Sequence, residues 1–212
     1  MDLSDLRRDY EAGALHRRDL AADPIEQFER WLNDAIGAGQ LEPTAMTLAT
    51  ATPDGRPSAR IVLLKAVDAK GFVFFTNYLS EKGRAIEANP KVEICFFWDK
   101  LERTVRVHGA ATRTSREESE AYFRQRPKRS QIGAAASNQS EIVASREFLE
   151  QRFAELEKQY EGADVPTPPH WGGFRVIPAT IEFWQGRRSR LHDRLRYRRD
   201  AGGAWVIERI AP

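Results

Sequence analysis

Apolar and polar residues alternate at strand period through most of the chain, and helical spacing replaces that alternation in only a few places. The first helix opens with Asp23 as N-cap, Pro24 at the first helical position and Glu26 at the third. Its apolar stripe, Phe28, Trp31, Leu32 and Ile36, is expected to pack on a sheet. From Ala45 the period turns extended. Strands are predicted over Ala45 to Ala51, Ser58 to Val67 and Phe72 to Asn77, parted by the turns Pro53-Asp54-Gly55 and Asp68-Ala69-Lys70-Gly71. A short helix from Ser80 should end before Pro90, ahead of strands Val92 to Trp98 and Glu102 to Thr112. Ser115 and Glu118 form a capping-box pattern for a helix that Pro127 interrupts, and another helix spans about Ser145 to Tyr160. After a Pro-rich loop come strands Phe174 to Ile177, Thr180 to Gln185, Leu191 to Arg199 and Trp205 to Ile210. Roughly eight antiparallel strands with helices between groups of them predict a mainly β protein, a closed or nearly closed barrel with peripheral helices. Residues 1–22, charged and aperiodic, read as a mobile N-terminal arm; residues 23–212 read as a single domain. No G-x-G-x-x-G fingerprint or βαβ repeat points to a dinucleotide fold.

Composition narrows the class. With 212 residues and 41% hydrophobic content, one core suffices. The 33 basic residues are balanced by 31 acidic ones, so the basic C-terminal run is local and overall charge gives no reason to expect nucleic acid. The single cysteine, Cys95, lies in an apolar run and is expected to be a buried, inert thiol; no disulfide framework or zinc cluster can form within the chain. No signal-peptide pattern and no apolar run of membrane-spanning length occur, so a soluble cytoplasmic protein without a membrane partner is expected.

Candidate chemistry concentrates near the C-terminus. Strand alternation across Arg190-Leu191-His192-Asp193-Arg194 would put Arg190, His192 and Arg194 on one face, about 6–7 Å apart, a wall suited to a phosphorylated planar molecule. An exposed basic edge strand is an equally good reading of that segment alone. Arg60-Ile61-Val62-Leu63-Leu64-Lys65 is a strand with an apolar centre and cationic ends, which parity places on opposite faces. Tyr122 and Arg126 share a helix face, and Ser130, beyond Pro127, is suited to cap the next helical turn, together a phosphate cradle. Surface packing is the commoner meaning of such a Tyr/Arg pair, and core packing the commoner meaning of Trp184. Gln139-Ser140 is a weaker candidate. His192 is placed to orient a substrate oxygen or amine. Metal-ligand spacing and a G-x-S-x-G elbow are both missing, so redox or binding chemistry calls for a cofactor held noncovalently.

Set side by side, these segments resemble the pyridoxamine 5′-phosphate oxidase family. The carrying motifs are Arg7-Arg8-Asp9-Tyr10, Arg17-Arg18-Asp19-Leu20, Arg60 to Lys65, Phe75-Thr76-Asn77, Leu101-Glu102-Arg103, Tyr122-Phe123 with Arg126-Pro127, and Ser130-Gln131-Ile132-Gly133. Further on they are Gln139-Ser140, Trp171-Gly172-Gly173-Phe174-Arg175, Glu182 to Gly186 and Arg190 to Arg194. Each is unspecific, but the ordered set, from about Arg7 to Pro212, is specific. The resemblance implies an FMN-binding split β-barrel homodimer with two active sites, each built from both chains. It implies FMN contacts from Arg60, Ile61, Val62, Leu63, Leu64, Lys65, Phe75, Thr76, Lys82, Gln139, Ser140, Trp184 and Arg194. The substrate phosphate would fall to Lys65, Tyr122, Arg126 and Ser130. Arg190 and His192, the implied catalytic pair, would lie with Leu191 over the pyridine ring, and Arg7, Arg8, Asp9 and Tyr10 would form a lid. The implied reaction oxidises pyridoxamine or pyridoxine 5′-phosphate to pyridoxal 5′-phosphate, with a hydride passing to flavin and molecular oxygen becoming hydrogen peroxide.

Some positions depart from the family pattern: Glu81 where arginine is usual, Thr104 for glutamine, Phe75 for tyrosine, and Ala135 for a bulkier aromatic residue. A carboxylate at 81 would repel a phosphate unless turned away, and Arg84, one helical turn on, is the residue able to compensate. These departures motivate a second reading, a protein that binds or delivers pyridoxal 5′-phosphate or flavin with little turnover. The intact Arg190-Leu191-His192 triplet favours the enzyme.

Overall fold

A computed structural model describes residues 1–3, 5 and 9–212; Arg7 and Arg8 lie outside the described residues. Among the described residues nine strands pair antiparallel: β1 (Ala45–Ala51), β2 (Pro57–Leu63), β3 (Ala66–Asp68), β4 (Gly71–Asn77), β5 (Lys91–Trp98), β6 (Arg103–Arg113), β7 (Trp171–Gln185), β8 (Asp193–Arg199) and β9 (Trp205–Arg209). The order is β2-β1-β5-β6-β7-β4-β3, with β8 also pairing β7 and β9 pairing β8.

The long strand β7 organises the sheet. It pairs with β6 along its length, while its first part also pairs with β4 (Asn77 opposite Trp171) and its last part with β8 (Gln185 opposite Asp193). The pattern predicted two strands here, broken before Thr180. One strand forms because the β6–β7 register shifts between His108 and Gly109, and this irregularity accommodates Pro178, which has no N–H to donate. The opposite happens at the expected strand Ser58 to Val67, which divides into β2 and β3. Leu64 N–H donates to Thr44 O and Lys65 N–H to Val73 O, so the chain changes partner from β1 to β4 at this corner. That change, invisible to a period count, places Lys65.

Helix α1 (Pro24–Gly37) starts as expected, with Asp23 accepting from Ile25 N–H at 2.7 Å. Phe28 is fully buried against Phe72, Phe96 and Trp98, and Trp31 and Ala35 are buried beside it. Ile36, expected in the stripe, is 54% exposed; Ala35 takes the core position because it follows Trp31 by four residues. Helices α2 (Glu81–Ala88), α3 (Arg116–Gln125) and α5 (Arg146–Gln159) are capped by Ser80, Ser115 and Ser145, and α4 (Lys128–Ala136) follows Pro127. Phe123, Ile132, Leu156, Val165 and Trp171 make a second, smaller core under α3, α4 and α5. Cys95 is only partly buried, on the outward face of β5, and burial pushes its thiol pKa up.

The segment expected to be a mobile arm lies against the barrel from Tyr10 onward. Leu15 and Ala21 are buried, Ala12 N–H donates to Glu102 at 2.9 Å and Leu15 N–H to Asp193 at 3.1 Å. Tyr197, deep in the core, donates its hydroxyl to Ala21 O at 2.7 Å. Among the described residues no helix is long and apolar enough to cross a membrane.

Candidate active site

A cavity of about 490 Å³ opens where β2, β4, α3 and α4 meet. Strand β2 contributes Ile61, Val62 and Leu63, and the corner after it contributes Lys65. Phe75, Thr76 and Asn77 come from the end of β4, Lys82 from α2, and Tyr122 and Arg126 from the end of α3. Helix α4 and the chain after it add Ser130, Gly133, Ala134, Ser137 and Gln139, with Trp171 at the start of β7.

Two cationic clusters share this space. In one, Lys82 Nζ donates to Gln139 Oε1 at 3.0 Å and to Thr76 Oγ1 at 3.4 Å, and the Thr76 hydroxyl donates to the same Gln139 oxygen at 3.0 Å. Burial, and then the charge of Arg60, holds the Lys82 pKa below that of an ordinary lysine. In the other, an aromatic stack supports an arginine. Tyr122 stacks on Phe75 at 4.0 Å, Phe75 lies nearly parallel to Trp171 at 5.4 Å, and the Arg126 guanidinium sits 4.9 Å from the Trp171 ring centre. Among the described residues, Arg126 Nη1 is buried without a hydrogen-bond partner. Burial lowers the Arg126 pKa and raises that of Tyr122. A buried guanidinium N–H beside a cavity, lacking a partner in the protein, is a donor prepared for an anion.

Several expected site residues lie outside this lining or sit differently within it. Ser130 does not cap α4: Pro127 holds that position, and Ser130, inside the first turn with its N–H on Pro127 O, lines the cavity instead. Arg60 donates to Leu48 O, to Thr50 Oγ1 and to both oxygens of Ser58, so it braces β1 against β2 and does not line the cavity. Leu64 points into the core, and Ser140, exposed with a positive φ of 75°, stands beyond the lining residue Gln139. Because β2 ends at Leu63, the parity argument for Arg60 and Lys65 does not reach Lys65. Glu81 accepts from Ser58 Oγ at 3.4 Å, on the Arg60 side and outside the cavity lining; Arg84 donates to Leu79 O and makes no ion pair with it.

Trp184, His192 and Arg194 gather at a second place, a cavity of about 280 Å³ shared with Thr104, Arg106, Glu182 and Pro212. Arg194 is held by both Glu182 oxygens, at 2.8 and 3.1 Å, and by Ala211 O. The His192 ring lies 4.7 Å from Trp184 and 5.5 Å from Tyr10, and its Nδ1 accepts from Arg187 N–H at 3.1 Å. The expected alternation of Arg190, His192 and Arg194 does not occur. Arg188–Arg190 is a 3₁₀ turn in which Ser189 and Arg190 have φ of 55° and 58°, and β8 begins only at Asp193. Arg190 and Leu191 are therefore exposed; Leu191 and Tyr10 face a third cavity with Arg187 and Arg188, and Asp9 is exposed. Of the cavity residues, Trp171, Asn77, Gly133, Ala134 and Ser137 escaped the sequence reading as site residues. Asn77, Gly133 and Trp171 each stood in a motif that carries the resemblance, whereas Ala134 and Ser137 carried no signal.

Two family models match the chain: pyridoxamine 5′-phosphate oxidase over residues 32–160, and the pyridoxine 5′-phosphate oxidase C-terminal dimerisation region over residues 171–212. The pyridoxine/pyridoxamine 5′-phosphate oxidase of Rubrobacter xylanophilus is 59% identical, covering 100% of this chain and 97% of its own. That of Microcystis aeruginosa is 53% identical, with 100% of both chains covered. Among solved structures, PhzG from Burkholderia lata 383, in complex with tetrahydrophenazine-1-carboxylic acid, superposes with a TM-score of 0.88 at 33% identity, covering 94% of this chain and 98% of that one. A pyridoxamine 5′-phosphate oxidase-related, FMN binding protein from Nostoc punctiforme shares the fold, with a TM-score of 0.71 at 17% identity, covering 91% of this chain and 100% of that one. With its split barrel, its dimerisation region and full-length relatives of one name, the chain belongs to the pyridoxine/pyridoxamine 5′-phosphate oxidase family of oxidoreductases.

Proposed function

We propose that the chain oxidises pyridoxamine 5′-phosphate, pyridoxine 5′-phosphate or both to pyridoxal 5′-phosphate with FMN, in a cytoplasmic homodimer whose two active sites each draw on both protomers. The observation that carries this reading is Arg126 Nη1, buried and unpartnered on a ledge of stacked rings beside the cavity. The two cationic clusters suit the two phosphates that such a reaction brings together. Lys82, Thr76 and Gln139 fit the cofactor phosphate; Lys65, Tyr122, Arg126 and Ser130 fit the substrate phosphate. Ile61, Val62 and Leu63 offer an apolar edge to a flavin ring.

Held by Lys82, Thr76 and Gln139, FMN would supply the acceptor for a hydride from the substrate's 4′ carbon, with molecular oxygen as the final oxidant. The chain's own residues position the reactants and screen them from water. Trp184, Arg190, His192 and Arg194 all lie in the segment that matches the dimerisation region, and none of them lines the first cavity, to which that segment contributes Trp171. That separation supports a site completed by the partner, in which Arg190 and His192 orient the reacting amine or alcohol and Trp184 and Arg194 meet the cofactor. Ser140, next to Gln139, and Arg7 to Tyr10, as a lid, complete the proposed set. Glu81, turned toward Ser58 and Arg60, speaks against a carboxylate facing the phosphate, the ground for the delivery-protein reading.

Aerobic turnover of pyridoxine 5′-phosphate by the purified protein, with and without added FMN, tests the proposal. FMN-dependent pyridoxal 5′-phosphate with equimolar peroxide is the expected result. A folded, flavin-loaded protein that forms no product from either phosphorylated substrate would overturn it in favour of the delivery protein.

A further inference from the structure

Arg116 lies outside the cavity lining, at the start of α3, yet its guanidinium meets four acceptors. Nη2 donates to Thr167 O at 2.7 Å, Nη1 to Pro168 O at 3.1 Å and Trp171 O at 3.3 Å, and Nε to Glu120 at 2.7 Å. Three of these acceptors are carbonyls of the Pro-rich loop and the first residue of β7, so one fixed fork fastens that entry to the helix bearing Tyr122. The residue it fastens, Trp171, is buried and sits edge-on to Phe123 at 4.9 Å. Its ring supports Arg126 directly and, through Phe75, supports Tyr122.

We infer that Arg116 is a positioning residue for phosphate recognition, acting through Trp171, and this inference rests on the reading of Arg126 and Tyr122 as phosphate ligands. The physical reason lies in Arg126 Nη1. A buried donor without a protein partner is drawn toward water, so rings, and no hydrogen bond at that nitrogen, keep it beside the cavity. If the loop comes away from α3, the shelf shifts, and Arg126 gains by swinging out to solvent.

Inorganic phosphate binding, followed by calorimetry on the full-length protein, and steady-state kinetics with pyridoxine 5′-phosphate and unphosphorylated pyridoxine test the inference together. In Arg116→Gln, phosphate affinity is expected to fall about tenfold, one to three charge-assisted hydrogen bonds being lost at one remove. KM for pyridoxine 5′-phosphate should rise by a similar factor, with kcat, bound flavin and KM for pyridoxine little changed. Arg116→Lys, able to reach only part of the carbonyl set, should fall between. Trp171→Phe, which keeps a ring in place, gives an independent arm should Arg116→Gln not fold, with a rise of a few fold expected. Equal losses for the phosphorylated and unphosphorylated substrates, or unchanged phosphate affinity in both variants, would overturn it. Phosphate binding that depends on Arg116 in a protein without turnover would keep this inference and reject the oxidase.

Discussion

Under the proposed function, Arg126 trades stability for binding. A buried N–H without a partner costs about 1–3 kcal/mol, and the stacked rings return only part of that. Replacing Arg126 with leucine should therefore raise the melting temperature by roughly 2–4 °C for each kcal/mol regained in a chain of this size. The same change should raise KM for pyridoxine 5′-phosphate by about 10–100-fold with kcat much less affected, since a charged bond to phosphate is lost. Calorimetry and steady-state kinetics on one preparation check both signs; a variant that is both less stable and unchanged in KM would place Arg126 in the scaffold. Lys82 makes a pH prediction. Its pKa is lowered by burial and by Arg60, so its charge disappears at a lower pH than an ordinary lysine's. FMN affinity should accordingly fall as pH rises, and at a lower pH than loss of an ordinary lysine's charge would give, while riboflavin, lacking the phosphate, should show no such fall. Quenching of flavin fluorescence measures both.

At the scale of elements, the site depends on how β7 enters the sheet. A Cβ on Gly173 would lie 2.7 Å from Thr114 Oγ1 and 2.9 Å from Phe75, the middle ring of the stack. Gly173→Ala should cost about 1–3 kcal/mol and lower the melting temperature by roughly 3–10 °C, weakening phosphate binding as Phe75 shifts. Gly202→Ala, in an exposed turn with its nearest neighbour at 3.4 Å, is the matching control and should change little. The corner at Leu64-Lys65 belongs to the same scale. Alternation showed a strand there but not its change of partner, which hydrogen bonds to Thr44 and Val73 decide. The Arg188–Arg190 turn was missed for a related reason: two successive positive φ values at non-glycine residues carry no composition signal.

For the whole molecule, the outward face of β2 and β5 leaves Ile61 63% and Phe97 60% exposed, with Leu63 beside them, an apolar surface that dimerisation would cover. If each site takes the Arg126 cavity from one protomer and Arg190 from the other, two variants impaired on opposite sides of the site should complement. Arg126→Ala mixed with Arg190→Ala, unfolded and refolded together and assayed at pyridoxine 5′-phosphate well below the raised KM of Arg126→Ala, should recover about a quarter of wild-type turnover, because half the dimers are mixed and each has one intact site. No recovery despite mixed dimers, shown by mass spectrometry of a tagged pair, would put each site within one chain.

Taken alone, the sequence determined the types of most elements, the caps at Asp23 and Ser115, the start of a short helix near Ser80, and the family, because period, capping chemistry and ordered motifs are local properties of the chain. It also pointed to Lys65, Tyr122, Arg126 and Ser130, which the fold gathers at one cavity. Tertiary structure alone decided that Arg60 braces two strands, that Glu81 turns away, and that Trp171 holds up Arg126. It also decided that Trp184, His192 and Arg194 stand apart from that cavity. Those facts depend on which strands pair and where a register shifts, and long-range pairing is set by burial of the whole core, which no local period records.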